Sequence, residues 1–292
     1  MIDWAKLGNN DGLDKVLNKC SRQKCIFAAM NLTSITTVIA PELLQFEIEL
    51  KKVFSSPSES MSEILQYIAE SQGKRMRPAL VFLAAKLFGE VNESTLRTAL
   101  FVEMIHSATL LHDDVVDGDE QRRGRASANV KFGNHNAILA GDFLFAKAIK
   151  LIANPDDHQI MVEMLQTANA MSEGELIQNE APKAALSEEK YLDIITRKTA
   201  MLKRSSCAGG ALSVGADDIQ VERLALFGLN LGIVFQMRDD MLDNDQPECV
   251  AYTKQLMPFY LDRAMKSLEG LPNTNVLQTL KDLLMFCAER EY

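Results

Sequence analysis

The sequence has no CxxC pair, no excess of basic residues, no long uninterrupted apolar run and no stretch in which apolar and polar residues alternate. Each absence removes a class of protein. The five cysteines, Cys20, Cys25, Cys207, Cys249 and Cys287, are odd in number and widely scattered, so neither a disulfide framework nor a zinc site is indicated, and a reducing cytoplasm fits best. Forty acidic residues against 31 basic ones give a formal net charge of -9, which argues against a broad surface for a nucleic-acid backbone. The most apolar segment near the start, IFAAMNLTSITTVIA, is interrupted by Asn31, Thr33 and Ser34. It is too short and too polar to span a bilayer and only weakly resembles a signal peptide. Met30 offers a second start, on which reading residues 1–29 are an added leader; the expectation is that a deletion beginning at Met30 retains stability and activity, and loss of either would refute it.

What is present reads as helix almost throughout, because apolar residues recur at helical spacing and no strand pattern competes. Pro41 opens one helix, whose Leu43, Leu44, Phe46, Leu50 and Val53 follow at mixed spacings of three and four. Ser60 and Glu63 have the spacing of a capping box. Further helices are expected from near Pro78, from about Ser94 to Asp114, and from Asn134 to Ala153, the last stopped by Asn154-Pro155. Two long helices follow, over about 156–179 and 187–208, with Gly209-Gly210 interrupting or ending the second. The segment DIQVERLALFGLNLGIVFQMRDDMLD is apolar on most faces, as a helix in the middle of a bundle would be. No linker, low-complexity tract or short repeat divides the 292 residues, so a single domain is expected.

The chemistry lies in a repeated acidic motif. DDVVD supplies Asp113, Asp114 and Asp117; DDMLD supplies Asp239, Asp240 and Asp243, starting 126 positions later. In each copy the outer aspartates are four apart and share a helix face, where like charges repel by a few tenths of a kcal/mol. A single such cluster is better read as a solvated helix end. Two copies, each preceded by an apolar run, predict carboxylates facing an interior cavity. Hard oxygen ligands in that number suit Mg²⁺ shared with substrate phosphates. A calcium loop is excluded, because its third and twelfth positions would be Val115 and Gly124.

Metal-bridged carboxylates call for an anionic ligand, and separate cations are at hand. GKRMRP carries Lys74, Arg75 and Arg77; Arg122 and Arg123 follow the first acidic motif; Arg197-Lys198-Thr199 lies on a later helix. Any one of these is more often a solvated surface feature. Together with the aspartates they suggest two diphosphates, one held through metal and one held directly by arginine and lysine. His106 lies two helical turns before Asp113 and Gln236 three residues before Asp239, placing both on the acidic faces. A lone histidine is more often a hydrogen-bonded core residue, and only its position favours a ligand role.

The motifs GKRMRP, DDVVDGDEQRRG, GDFLFA, GELIQ, RKTA and FQMRDDMLD, in this order over about 72–243, resemble the trans-prenyltransferases, the isoprenyl diphosphate synthases. That resemblance implies an all-α, antiparallel helical bundle around a deep central cavity, usually a homodimer, condensing an allylic diphosphate with isopentenyl diphosphate. It implies that Asp113, Asp117 and Asp239 hold magnesium on the allylic diphosphate, with Asp114, Asp240 and Asp243 in support. Arg122, Lys198 and Gln236, with Thr199 beside them, would contact the allylic substrate. Lys74, Arg77, His106 and Arg123 would form the isopentenyl diphosphate pocket.

Product length follows from the helix before Asp113. One isoprene unit spans about one 5.4 Å turn, so a growing tail stops at the first bulky side chain along that helix. Ala108 and Thr109 are both small, where short-chain members of the family carry aromatics, which predicts roughly six to ten units. Such a product is too apolar for water, so transient contact with a membrane surface, without an anchor, is expected. The resemblance breaks after DDMLD, where the family continues with a glycine-rich loop and a lysine. Here Asn244-Asp245-Gln246-Pro247-Glu248 leads directly to CVAYTKQLMPFYLDRAMKSLEGLP, similar to the family's C-terminal helices. A long internal segment is missing. Two other readings follow: a catalytically reduced partner subunit of another prenyltransferase, against which the intact aspartates argue, and a terpene cyclase, against which DDMLD argues.

Overall fold

The computed structural model describes residues 36–70, 73–181, 186–243 and 247–290. Residues 1–29, with the proposed leader, and the 244–246 junction lie outside them. A 3-10 turn, Thr36–Ile39, enters α1 (Ala40–Val53), which has Pro41 in its first turn as expected. Phe46 and Leu50 are buried, whereas Leu44, expected on the same face, is 67% exposed. The next helix, α2 (Glu59–Ala69), is capped by Ser58, whose Oγ accepts the Met61 N–H. The Ser60–Glu63 capping box therefore does not form, because the extended residue that can cap is two positions earlier.

Three helices build the centre. α3 (Met76–Lys86) is buried along nearly its whole length. α4 (Glu93–Val116) starts with a reciprocal cap between Asn92 and Thr95 and ends with Asp117 as its C-cap. After it, β1 (Gln121–Arg122) and β2 (Arg125–Ala126) pair antiparallel, the one piece of sheet among the described residues and one that the alternation test is too coarse to detect. Arg123 and Gly124, with φ of 53° and 75°, make its two-residue turn.

Then come α5 (Ala128–Phe132), α6 (Asn134–Ile152), α7 (His158–Glu180) and α8 (Glu188–Ile195). A π turn, Thr196–Ala200, joins α8 to α9 (Met201–Leu212), and α10 (Asp218–Asp243), α11 (Pro247–Ser267) and α12 (Asn275–Glu289) complete the chain's described helices. α9 is the hub, packed on α3, α4, α7 and α10. Gly209-Gly210 does not interrupt it, contrary to the sequence expectation. Both glycines are buried contact points: a Cβ on Gly210 would collide with the Val81 carbonyl of α3, and one on Gly209 would come within 2.9 Å of Thr98 Cγ2 on α4. Their small size, which costs helix propensity in an isolated helix, here lets three helices approach closely. No described helix is long and apolar enough to cross a membrane.

Candidate active site

The ends of α4 and α10, the π turn and α8 enclose a cleft of about 730 Å³ lined by Asp117, Tyr191, Lys198, Thr199, Gln236, Asp240 and Asp243. One member of the first acidic motif and two of the second therefore open on the same space. Their arrangement comes from local structure. Asp113, on the last turn of α4, and Asp117, its C-cap, sit where that helix stops, and Asp239, Asp240 and Asp243 occupy the final turn of α10. Both ends carry the negative pole of a helix, which disfavours carboxylates there unless a cation is shared.

The floor of the cleft is hydrogen-bonded. Gln236 accepts from the Thr199 hydroxyl at 2.9 Å and donates to Asp240 at 2.9 Å, and the Tyr191 hydroxyl also donates to Asp240. Lys198 pairs with Glu175 at 2.5 Å, while the other Glu175 oxygen is buried without a partner. Burial, then the charge of Glu175, pushes Asp113 up to about 6, with Lys198 acting in the opposite direction. Burial also raises Asp239 and Asp240. Crowded carboxylates with raised proton affinity are relieved by a divalent cation, so the donor set fits magnesium chemically. Among the described residues no three His, Cys, Asp or Glu side chains are placed to hold a metal ion by themselves.

Lys198 owes its place to Gly174 on α7. A Cβ there would lie 2.7 Å from Arg197 Cβ and 2.9 Å from the Lys198 backbone nitrogen. Gly174→Ala is expected to cost about 1–3 kcal/mol, read as a lower urea midpoint, and to shift Lys198.

The basic residues divide differently from the expectation. Arg75, counted with the cations of GKRMRP, is tied to Glu47 at 2.6 Å and to the buried Glu103 at 2.5 Å, so it braces α1 against α4. Arg197 is held by Asp193 and Glu173 at the surface. Arg122 is clamped by Asp114 and Asp119, and Asp114, 3% exposed, does not line the acidic cleft. His106, Asp114, Arg122 and Arg123 instead border a second, smaller hollow of about 60 Å³. Burial, then Arg77 and Arg123, hold His106 well below the ordinary imidazole range, so the ring is neutral at neutral pH. Lys74 is exposed, and the Arg123 guanidinium would stand 3.0 Å from a Cβ on Gly73. Arg77 Nε is buried with no hydrogen-bond partner, and burial brings its guanidinium down to about 10. Ala108 is fully buried, and the Thr109 hydroxyl donates to the His106 carbonyl.

Sequence reasoning missed three participants. Glu175 lies in the quoted GELIQ motif but carried no signal of its own. Arg290 bonds Asp239 from 51 positions away and lies 4.0 Å from the Phe235 ring, a purely tertiary relation. Lys203, 1% exposed, places Nζ 4.0 Å from the same ring with no hydrogen-bond partner. Burying an ammonium costs several kcal/mol, and a desolvated cation–π contact offsets about 2 of them.

Comparison with known proteins gives the family and the fold. The polyprenyl synthetase family profile matches residues 58–252, and the chain belongs to that family. It is 35% identical over 215 residues to octaprenyl diphosphate synthase of Haemophilus influenzae, an alignment covering 73% of this chain and 65% of the relative, just under two thirds of its length. Geranylgeranyl diphosphate synthase of Methanosarcina mazei is 36% identical over 196 residues, 65% of this chain and 60% of the relative. Heptaprenyl diphosphate synthase component 2 of Geobacillus stearothermophilus aligns over 324 positions at 30% identity, taking in all of that protein and 90% of this one. Since 90% of 292 residues falls short of 324, about sixty of those positions have no residue here. Among solved structures, polyprenyl synthase of Caulobacter crescentus, complexed with calcium and isoprenyl diphosphate, superposes with a TM-score of 0.83 at 26% identity, over 90% of this chain and 98% of that one.

Proposed function

We propose that this protein is a magnesium-dependent trans-prenyltransferase that condenses an allylic diphosphate with isopentenyl diphosphate to give a long-chain polyprenyl diphosphate. The observation that supports it most is the shared cleft: Asp117, Asp240 and Asp243 around one space, with Lys198, Thr199 and Gln236 between them. Magnesium, when bound, would neutralise charge on the departing diphosphate.

The chain's own residues do the rest. Lys198, released from Glu175, donates to a diphosphate oxygen, so that the allylic C–O bond breaks and its electron pair leaves with the diphosphate. The Thr199 hydroxyl and Gln236 amide dipoles, fixed by their mutual hydrogen bond, face the resulting carbocation. Lys74, Arg77, His106 and Arg123 hold the second diphosphate directly. The double bond of isopentenyl diphosphate forms the new C–C bond, and its C2 proton passes to the released diphosphate. A cytoplasmic homodimer with transient membrane contact is the form in which we expect it to act.

The relatives include both geranylgeranyl and longer-chain synthases, and Ala108 with Thr109 favours the longer product. Ala108→Tyr is expected to shorten the main product, measured by chromatography of the dephosphorylated prenols; an unchanged length would put the floor elsewhere. The roughly sixty absent alignment positions favour a second reading, a partner subunit of reduced activity. Incubation with magnesium, isopentenyl diphosphate and an allylic primer separates the two. Elongated linear chains support the synthase, and no product without an added partner supports the subunit.

A further inference from the structure

One turn on from the Thr199–Gln236 hydrogen bond, Lys203 of α9 stands over the Phe235 ring of α10. Thr199 and Lys203 are four residues apart on adjoining helical segments, and Phe235 immediately precedes Gln236. Three nitrogens gather at this level with unspent donors: Lys203 Nζ, Arg77 Nε and Arg290 Nε are all buried and without hydrogen-bond partners. Lys203 and Arg290 both lie 4.0 Å from the Phe235 ring. A ring face attracts a cation but accepts no conventional hydrogen bond, so those donors remain unsatisfied.

The charges facing Lys203 are lopsided. Arg77 and Arg290 are cationic, Asp239, the carboxylate with the largest effect on it, is already bonded by Arg290, and Cys287 and His106 are neutral neighbours. Phe235 is half-buried and stands 4.0 Å from both Lys203 and Arg290, so a ring face, and no hydrogen-bond acceptor, fills the space between the two cations.

We infer that Lys203 is a further diphosphate-binding residue, joining Arg77 on the metal-free diphosphate of the isopentenyl substrate. This rests on the prenyltransferase reading above. Burial, then Arg77, hold the Lys203 ammonium well below the ordinary lysine range, and a phosphate dianion beside it would favour the charged form against both. If Lys203 served packing alone, a methionine of similar length would replace it without consequence.

Lys203→Met tests this. The variant is expected to fold with a melting temperature at or above that of the wild type, since it removes an unpaired buried cation. Its KM for isopentenyl diphosphate should rise about tenfold to a hundredfold, the size of one lost charged hydrogen bond, while KM for the allylic primer changes less than about twofold. Its affinity for inorganic diphosphate, measured calorimetrically in EDTA, should fall by the same factor. Lys203→Gln, which keeps a donor but no charge, should lie between. Unchanged KM and diphosphate affinity in folded Lys203→Met would overturn the inference, as would failure of both variants to fold, which would make the lysine structural. A wild-type protein that neither elongates a primer nor binds diphosphate would instead refute the prenyltransferase reading on which the inference stands.

Discussion

Asp113→Asn is expected to lower kcat/KM by at least about a thousandfold and, in magnesium-free buffer at pH 7 to 8, to raise the melting temperature. The two effects have one cause. Asp113 is pushed up to about 6 by burial and by Glu175, above its ordinary value of 3.8. Folding therefore favours the protonated carboxyl. The stability that this supplies is fully present below the unfolded value and is lost as pH rises through about 6, where the buried group must ionise. Asparagine removes that penalty at neutral pH and should be close to neutral for stability near pH 4. In the wild type the proton competes with the cation, so magnesium affinity should weaken as pH falls below about 6. Melting curves of both proteins from pH 4 to 8, with and without magnesium, check all three statements. A variant less stable than wild type at pH 8 without metal would contradict the account of Asp113.

Arg75→Met is expected to cost about 3–5 kcal/mol of folding free energy, a larger effect than at any exposed cation of the protein. Glu103, whose side chain is 6% exposed, would lose its guanidinium at 2.5 Å and keep only the charges of Arg77 and Arg123 nearby, and Glu47 would lose the same partner. Replacing Glu103 by leucine in the same chain should recover much of the loss, because the buried charge disappears with its partner. Urea unfolding of the single and double variants measures this. Equal midpoints for wild type and Arg75→Met would show that Arg75 is a solvated residue, as its motif alone suggests.

The position of the two acidic clusters at helix ends was legible in the sequence because its signal is local, but which aspartates line the cleft was not: Asp117, Asp240 and Asp243 do, and Asp113, Asp114 and Asp239 are not among its lining residues. Two DDxxD clusters at the ends of apolar helices state their own spacing, and helix ends fix where the carboxylates point. The all-helical bundle was legible for the same reason, since a period near 3.6 runs through almost every segment. What failed depended on distant partners. Nothing near Arg75 in the chain announces Glu103, and nothing near Arg290 announces Asp239. Lys203 sits in MLKRSSCAGG, where a charged residue next to Arg204 reads as a solvated face; only packing of α9 against α10 buries one and leaves the other paired with Glu163. Gly209-Gly210 was misread because helix propensity counts a glycine pair as a stop, whereas α3 and α4 need the space where the two side chains would be. Ser58 took the cap expected of Ser60 because capping depends on which residue is extended, and both serines carry the same side chain.

The measurement that bears most directly on a shared metal–diphosphate site is the linkage between magnesium and inorganic diphosphate, titrated calorimetrically in the wild type, in Asp113→Ala/Asp117→Ala and in Asp239→Ala. The account predicts that magnesium tightens diphosphate binding by at least about a hundredfold in the wild type, and that loss of either cluster alone removes most of that gain. Retention of the full magnesium effect in either variant would mean that the two clusters do not hold one ligand between them.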